Sequence, residues 1–372
     1  MTKIWFRWNR KNLNSIASLM PLLPGAELTE KPRPGIMLYS FASFQAEEVY
    51  REVSSSAVDA TFIAGGPHPS ARPEEVLRYF DYVVVGEGEE TLPRLIEALS
   101  RGGDAFAIPG VAYRKDGLTY FSGAREPVDL DCYPPFRPPL KAPVEISRGC
   151  PWGCAYCQTP RLFGRRMRHR SVPLITRFAA YHKDIRLTSP NSLAYGSDGV
   201  HPRLDRVEEL LKSLSELDRP IYFGTFPSEV RPEFVTDRSL ELITGYCANR
   251  TLSIGGQSGS PEVLKRVGRG HGVEEIKTAC RLCLDHGLTP NVDLILCLPG
   301  ETAEDQMKTL ELAAWIIEQG GKVRAHYFTP LPGTPLEGSA PAPLTGEAEA
   351  LLGRLALQGS LNGVWQPRDK IA

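Results

Sequence analysis

Apolar and polar positions along the chain alternate in blocks that predict a strand, then a helix, then a strand again. Residues 60–64 and 82–85 are nearly unbroken apolar runs, the mark of parallel strands buried on both faces. Shorter strands are predicted at 3–8 and 35–39, and helices at 46–53 and 90–100. Residues 1–125 thus read as a small doubly wound α/β domain, whose ligands would sit at the carboxyl ends of the strands. From 144 to 335 the order repeats, with strands predicted at 144–147, 185–189, 221–225, 251–254, 292–298 and 323–329. Helices at 260–267 and 273–286 fit between them. Six such units predict a partial (β/α)6 barrel with its working groups on loops at the carboxyl ends of the strands.

Two stretches break the pattern. Residues 126–143 contain Pro134, Pro135, Pro138, Pro139 and Pro143. That density forbids helix and central strand and predicts an extended, semi-rigid linker. Residues 336–372 are expected to form a short C-terminal element, with one helix at 345–358 and a loose end.

Composition narrows the picture. The chain has 372 residues, with 43 Lys+Arg against 44 Asp+Glu. A balance so near neutral argues against a protein held to nucleic acid by counterion release. Apolar residues at 42% and charged residues at 23% suit a globular protein. No stretch approaches the ~18 apolar residues of a membrane span. The start, Met1-Thr2-Lys3-Ile4-Trp5, has no long apolar region of the secretory kind. A cytoplasmic setting is therefore expected, where eight cysteines are more readily metal ligands or buried thiols than disulfides.

The strongest chemical signal is Cys150-Pro151-Trp152-Gly153-Cys154-Ala155-Tyr156-Cys157. Three thiols on one short loop after a strand suit an iron–sulfur cluster. Three ligands for four irons leave one iron open to a substrate or cofactor. A structural zinc site would need a fourth ligand, which His169 is able to supply. Cys280 and Cys283 lie three apart in a predicted helix and read as buried thiols rather than a second cluster.

The CxxxCxxC loop resembles that of the radical S-adenosylmethionine (SAM) superfamily. So do the stretches 252–260, 293–302 and 328–335, which are similar to the subgroup holding methylthiotransferases and coproporphyrinogen dehydrogenases. The resemblance implies that Cys150, Cys154 and Cys157 hold a [4Fe-4S] cluster. It implies that Tyr156 faces the adenine of SAM. Ser189 and Asn191, and then Ser228, Glu229 and Arg231, would contact the methionine part, and Gln257 and Ser258 the ribose.

The N-terminal part carries a second resemblance. Ala64-Gly65-Gly66-Pro67-His68-Pro69 and the stretch 81–89 are similar to the cobalamin-binding domain fused to many radical SAM enzymes. On that resemblance Ser40, Ser43, Gly65, Gly66, His68, Gly86 and Glu87 would line the cobalamin site. Residues 9–13 lack the DxHxxG that supplies a histidine to cobalt elsewhere, and His68 is expected to be structural rather than a cobalt ligand.

Together the resemblances imply a cobalamin-dependent radical SAM methyltransferase. A 5′-deoxyadenosyl radical would activate an unactivated carbon that then takes a methyl group from cobalamin. The short form resembles archaeal protein-modifying members. The implied acceptor is a peptide or protein, the specific expectation being a glutamine of methyl-coenzyme M reductase. A reductant for the cluster is expected, and neither nucleic acid nor membrane. The alternatives are a radical SAM enzyme that does not methylate (a cyclase, oxidase or methylthiotransferase) and a non-enzymatic iron–sulfur or corrinoid carrier.

Overall fold

The computed structural model describes residues 2–366. They divide into two compact α/β units: residues up to 142 with 161–164, and 143–160 with residues from 165 on.

The first unit is a seven-stranded sheet in the order Glu27–Thr29, Ile4–Arg7, Gly35–Ser40, Ala60–Gly65, Tyr82–Val84, Val111–Lys115, Leu118–Phe121. The first five run parallel and the last two antiparallel. Side chains alternate across Gly35–Ser40 because the strand period is two. Ile36 and Leu38 enter one core with Ile16, Leu92 and Leu95. Met37 and Tyr39 enter the other with Ala46, Val53 and Val76. The sheet is therefore covered on both faces, by helices Leu13–Leu19 and Gly88–Arg101 on one side and Ala46–Ser54 and Pro73–Val76 on the other. Strand order reverses between Ile4–Arg7 and Gly35–Ser40. In a doubly wound sheet that reversal opens a ligand crevice beyond the carboxyl ends.

Three strands of this unit were not foreseen. Glu27–Thr29 is too short to show alternation. Val111–Lys115 and Leu118–Phe121 form a hairpin turned by Asp116 and Gly117, at φ 52 and 80. An Asp-Gly pair flanked by strand formers is itself a hairpin signal.

The proline-rich stretch is not a free spacer. It excludes helix, as its prolines require, but Val128, Leu130, Phe136 and Ala142 are buried. The Val128 amide donates to Glu87 Oε2 at 2.9 Å. Apolar residues between the prolines give it a face to bury, which proline counting overlooks.

The second unit is an arc of parallel strands. Val144–Glu145, Ile185–Thr188 and Ile221–Tyr222 pair in sequence order. Thr251–Gln257, Thr289–Leu296, Lys322–Tyr327 and Leu361–Val364 form the other run. A parallel bridge between Val230 and Ile254 joins the two. Helices Leu204–Ser215, Val273–Asp285 and Ala303–Glu318 bury leucines and isoleucines between successive strands. The tail departs from expectation. Helix Gly346–Leu357 is followed by a seventh strand, Leu361–Val364, and the last residues of the end expected to be loose, 367–372, lie outside the described residues. The strand fits because Gly363 has no Cβ, which would fall 2.0 Å from Ala325 O. Among the described residues no helix is long and apolar enough to cross a membrane.

Candidate active site

The cysteine loop leaves the short strand Ser147–Arg148 through Gly149, at φ 87. It is clamped at several points. Ala155 donates its amide to Val267 O at 2.9 Å. Trp152 Nε1 donates to Gly199 O at 3.0 Å, and the Arg231 guanidinium lies 3.9 Å from the Trp152 ring centre. Arg165 donates twice to Pro151 O, at 3.1 and 2.9 Å. Cys150, Cys154 and Cys157 line one cavity of about 480 Å³. Burial pushes the Cys150 and Cys157 thiols up; a coordinating metal deprotonates such thiols outright.

Tyr156, Ser189, Asn191, Ser228, Glu229, Arg231 and Gln257 line the same cavity. Their hydrogen bonding separates them. Ser228 Oγ donates to Ser189 O at 3.0 Å and accepts the Ser189 amide at 3.1 Å, while Ser189 Oγ donates to Asn191 O at 3.0 Å. These two hydroxyls stitch the strand ends together. Asn191 Nδ2 and Arg231 Nη1 are buried and have no hydrogen-bond partner. Two orphaned donors on one wall are what a bound carboxylate would satisfy.

Ser258 is placed elsewhere. It is fully buried, meets Thr309 Oγ1 at 3.0 Å and accepts the Ser260 amide at 3.1 Å. The ladder register shifts between Gly255 and Gln257, and Gln257 takes φ 73. Alternation along the strand turns Gly255 and Gln257 toward the cavity and Gly256 and Ser258 into the wall: a Cβ at Gly255 would meet Arg269 and Glu229, and one at Gly256 would meet Val292 and Ile276.

Four further ionisable cavity residues were not assigned from sequence: Arg269, Asp293, Arg324 and His326. Arg324 binds Asp293 through two bonds of 2.5 Å. Burial opposes the Asp293 charge, but His326, 3.7 Å away, and the two Arg324 bonds outweigh it and hold the carboxyl below its usual range. Neighbouring Glu229 goes the other way: burial raises it, Arg269 opposes, and the Asp293 charge adds to the rise. The two neighbouring carboxyls are thus shifted in opposite directions. Arg269 donates from Nε to His271 Nε2 at 2.8 Å and from Nη2 to Gly255 O at 2.7 Å. Burial, then Arg269 and Arg231, push His271 down to about 3, so it accepts as neutral imidazole. Asp293 and Arg324 face each other in register on adjacent strands. Isolated charges in apolar strands were the available signal.

In the first unit the carboxyl ends of the parallel strands carry Ser40, Gly65, Gly66 and Gly86. Around Gly86 nothing approaches a Cβ position within 4 Å, and at Gly65 the nearest atom is 3.7 Å away. Ser40 lies beneath Gly66, whose Cβ would fall 2.7 Å from Ser40 Oγ. Glu87 accepts the Val128 amide. His68 is buried with both ring nitrogens engaged, by Tyr50 and Ser43.

The radical SAM superfamily matches residues 144–313, and the B12 binding domain matches residues 35–96. The chain carries a radical SAM domain and a B12-binding domain. An uncharacterised methyltransferase of Pyrococcus horikoshii is 27% identical over 75% of this chain and 63% of its own length. A tRNA-2-methylthio-N(6)-dimethylallyladenosine synthase of a Sulfurihydrogenibium species is 30% identical over 71% and 57%. The chain spans less than two thirds of the length of these curated relatives. Among solved structures, the radical SAM methyltransferase TsrM of Kitasatospora setae, with cobalamin and a [4Fe-4S] cluster bound, superposes with TM-score 0.70 at 18% identity, covering 91% of this chain and 77% of that one. The cobalamin-dependent radical SAM enzyme OxsB gives TM-score 0.66 at 18% identity, over 84% and 52%. At such identities the likeness is one of fold.

The radical SAM domain works with a [4Fe-4S] cluster, SAM and a reductant, and the B12-binding domain with cobalamin. The donor sets fit. Three cavity thiols suit the cluster, and the orphaned Asn191 and Arg231 donors suit a carboxylate such as that of SAM. Among the described residues no three of His, Cys, Asp or Glu close around a single ion. A four-iron cluster needs no such closure, since each thiolate meets its own iron. At Gly86 nothing lies within 4 Å of the Cβ position, so the backbone there is open to a ligand.

Proposed function

We propose that this protein is a cobalamin-dependent radical SAM methyltransferase acting on an unactivated carbon. One observation carries the reading: three cysteines and two unpartnered buried donors share one cavity, in a chain that also has a B12-binding domain. When bound, the cofactors supply the one-electron cleavage of SAM and the methyl donor. The chain's own residues position and shield. Cys150, Cys154 and Cys157 would hold the cluster. Asn191 Nδ2 and Arg231 Nη1 would donate to the SAM carboxylate, with the Arg269 cation nearby. Tyr156 and Trp152 wall the cavity and exclude water. In the B12-binding domain Gly65, Gly66 and Gly86 would let backbone approach the corrin.

A peptide or protein side chain or Cα is the acceptor class we infer, and the methyl-coenzyme M reductase glutamine is the first acceptor to assay. The exposed Phe226, 68% accessible on the cavity rim, supports a macromolecular acceptor that covers the opening. A methylthiotransferase reading is favoured by the tRNA-modifying relative. It lacks a second cysteine set, since Cys132 alone precedes the triplet and Cys280 and Cys283 are buried in a helix.

The test is anaerobic reconstitution with iron, sulfide and hydroxocobalamin, then reaction with methyl-labelled SAM, a strong reductant and a peptide panel that includes that glutamine. About four irons and one cobalt per chain, 5′-deoxyadenosine and label on a peptide carbon are expected. Cys154→Ala should abolish iron loading and deoxyadenosine together. Iron without cobalt would refute the methyl-transfer reading.

A further inference from the structure

The B12-binding domain contains a line of four polar side chains whose protons can be placed. Tyr50 Oη donates to Glu75 Oε1 at 3.0 Å. A phenol has one proton. With that proton on the carboxylate, the Tyr50 oxygen can only accept from His68 Nε2, 2.9 Å away. Nε2 therefore carries the imidazole proton, and Nδ1 is left as an acceptor. Ser43 Oγ lies 3.1 Å from Nδ1, so the Ser43 hydroxyl donates inward and turns its lone pairs outward.

The surroundings hold this line in place. His68 is 5% exposed. Burial pushes its pKa down, with Glu75 opposing, which keeps the ring neutral near pH 7. Tyr79 stacks on Tyr50 at 4.3 Å, and Phe41 lies 5.8 Å from the His68 ring. Ser43 opens the turn Ser43–Gln45 directly after strand Gly35–Ser40. That strand borders the reversal of strand order, where a doubly wound sheet takes its ligand.

We infer that Glu75, Tyr50 and His68 are positioning residues that fix Ser43 as a hydrogen-bond acceptor, so that this rim selects a ligand presenting an N–H or O–H donor, such as a carboxamide at a corrin's edge. The inference rests on the cobalamin reading for the ligand, but not for the relay. Glu75 sets the direction from 25 residues away in sequence. Reversing any link would present a donor to the ligand instead.

Two measurements on the full chain test it. In protein labelled with 15N-histidine, without ligand, long-range proton–nitrogen correlation reads the tautomer of His68, assigned by its loss in His68→Gln. The Nε2–H tautomer is expected, with Tyr50→Phe releasing the ring to the Nδ1–H form. An Nδ1–H tautomer in the wild type would overturn the relay. Hydroxocobalamin titration gives the second readout. Tyr50→Phe and Ser43→Ala should each weaken binding about fivefold, the size of one net hydrogen bond. The double variant should bind no more weakly than Ser43→Ala alone. A full further loss from Tyr50→Phe in the Ser43→Ala background would mean that Tyr50 acts on the fold, which sinks the positioning role. A wild type with no affinity for hydroxocobalamin would overturn the cobalamin reading and the ligand half of the inference, while the tautomer still decides the relay.

Discussion

Replacing Gly270 by alanine should disable the cysteine loop without touching a cysteine. Gly270 has φ 80, and a Cβ there would fall 2.1 Å from Trp152 Cζ3 and 2.9 Å from two further ring carbons. Carbon atoms pack at about 3.5–4.0 Å, so the indole would have to recede by roughly 1.5 Å. It is anchored against that move by its bond to Gly199 O and by the Arg231 guanidinium. Trp152 stands between Cys150 and Cys154, so any displacement passes to both thiols. The left-handed backbone costs alanine about 1–2 kcal/mol, and overpacking adds about 1–3 kcal/mol. Gly287→Ala is the control, because Gly287 has φ 73 with nothing within 4 Å of the added carbon. It should show only the backbone cost. Iron and sulfide content after anaerobic reconstitution, with Tm alongside, separates the two. Gly270→Ala should lose more stability than Gly287→Ala and should fail to load iron. Wild-type loading with a Tm equal to the control would refute the claim that close packing on Trp152 sets the cysteine geometry.

Two further predictions concern buried charge. Burial raises Glu301 to about 7 from its ordinary 4.5. A raised carboxyl stabilises the fold fully below the unfolded value and loses that contribution as pH climbs through the folded one. Stability should therefore fall between pH 4.5 and about 7 by up to ~3 kcal/mol, and urea midpoints of Glu301→Gln should lack this segment. An identical pH profile in the variant would show that Glu301 is not the group responsible. Arg324→Met leaves Asp293, which is 5% exposed, without its two guanidinium bonds. A loss of about 2–4 kcal/mol at pH 7 is expected in chemical denaturation, largely recovered when Asp293→Asn is added. No recovery would mean that Arg324 acts through packing and not through the ion pair.

The sequence carried the elements that are long and apolar, and lost those that depend on partners. Strands 60–65 and 82–84 were legible because burial on both faces demands unbroken apolar runs. The strand Leu361–Val364 was not, because four residues with one glycine have no period to read, and its pairing depends on Ala325 some forty positions earlier. The proline-rich stretch was legible as non-helical but not as packed, since burial of Val128 and Phe136 depends on segments distant in sequence, such as the one that brings Glu87 to Val128.

The site divides along the same line. Cys150, Cys154 and Cys157 are close in sequence, so spacing alone placed them on one loop. The cavity charges come from strand ends far apart in sequence. Arg324 and Asp293 meet only because two parallel strands align in register, 31 positions apart. Ser258 illustrates the opposite failure. The resemblance grouped it with Gln257 at the ribose, but neighbours on a strand face opposite ways, and Ser258 turns into the wall against Thr309. Strand alternation was the signal that separates the two. Gln257 reaches the cavity at a positive φ, which a non-glycine residue adopts at a cost. The strain lies where three elements deliver polar groups to one wall. Backbone held at such an angle beside a cavity is better read as part of the site than as noise in the fold.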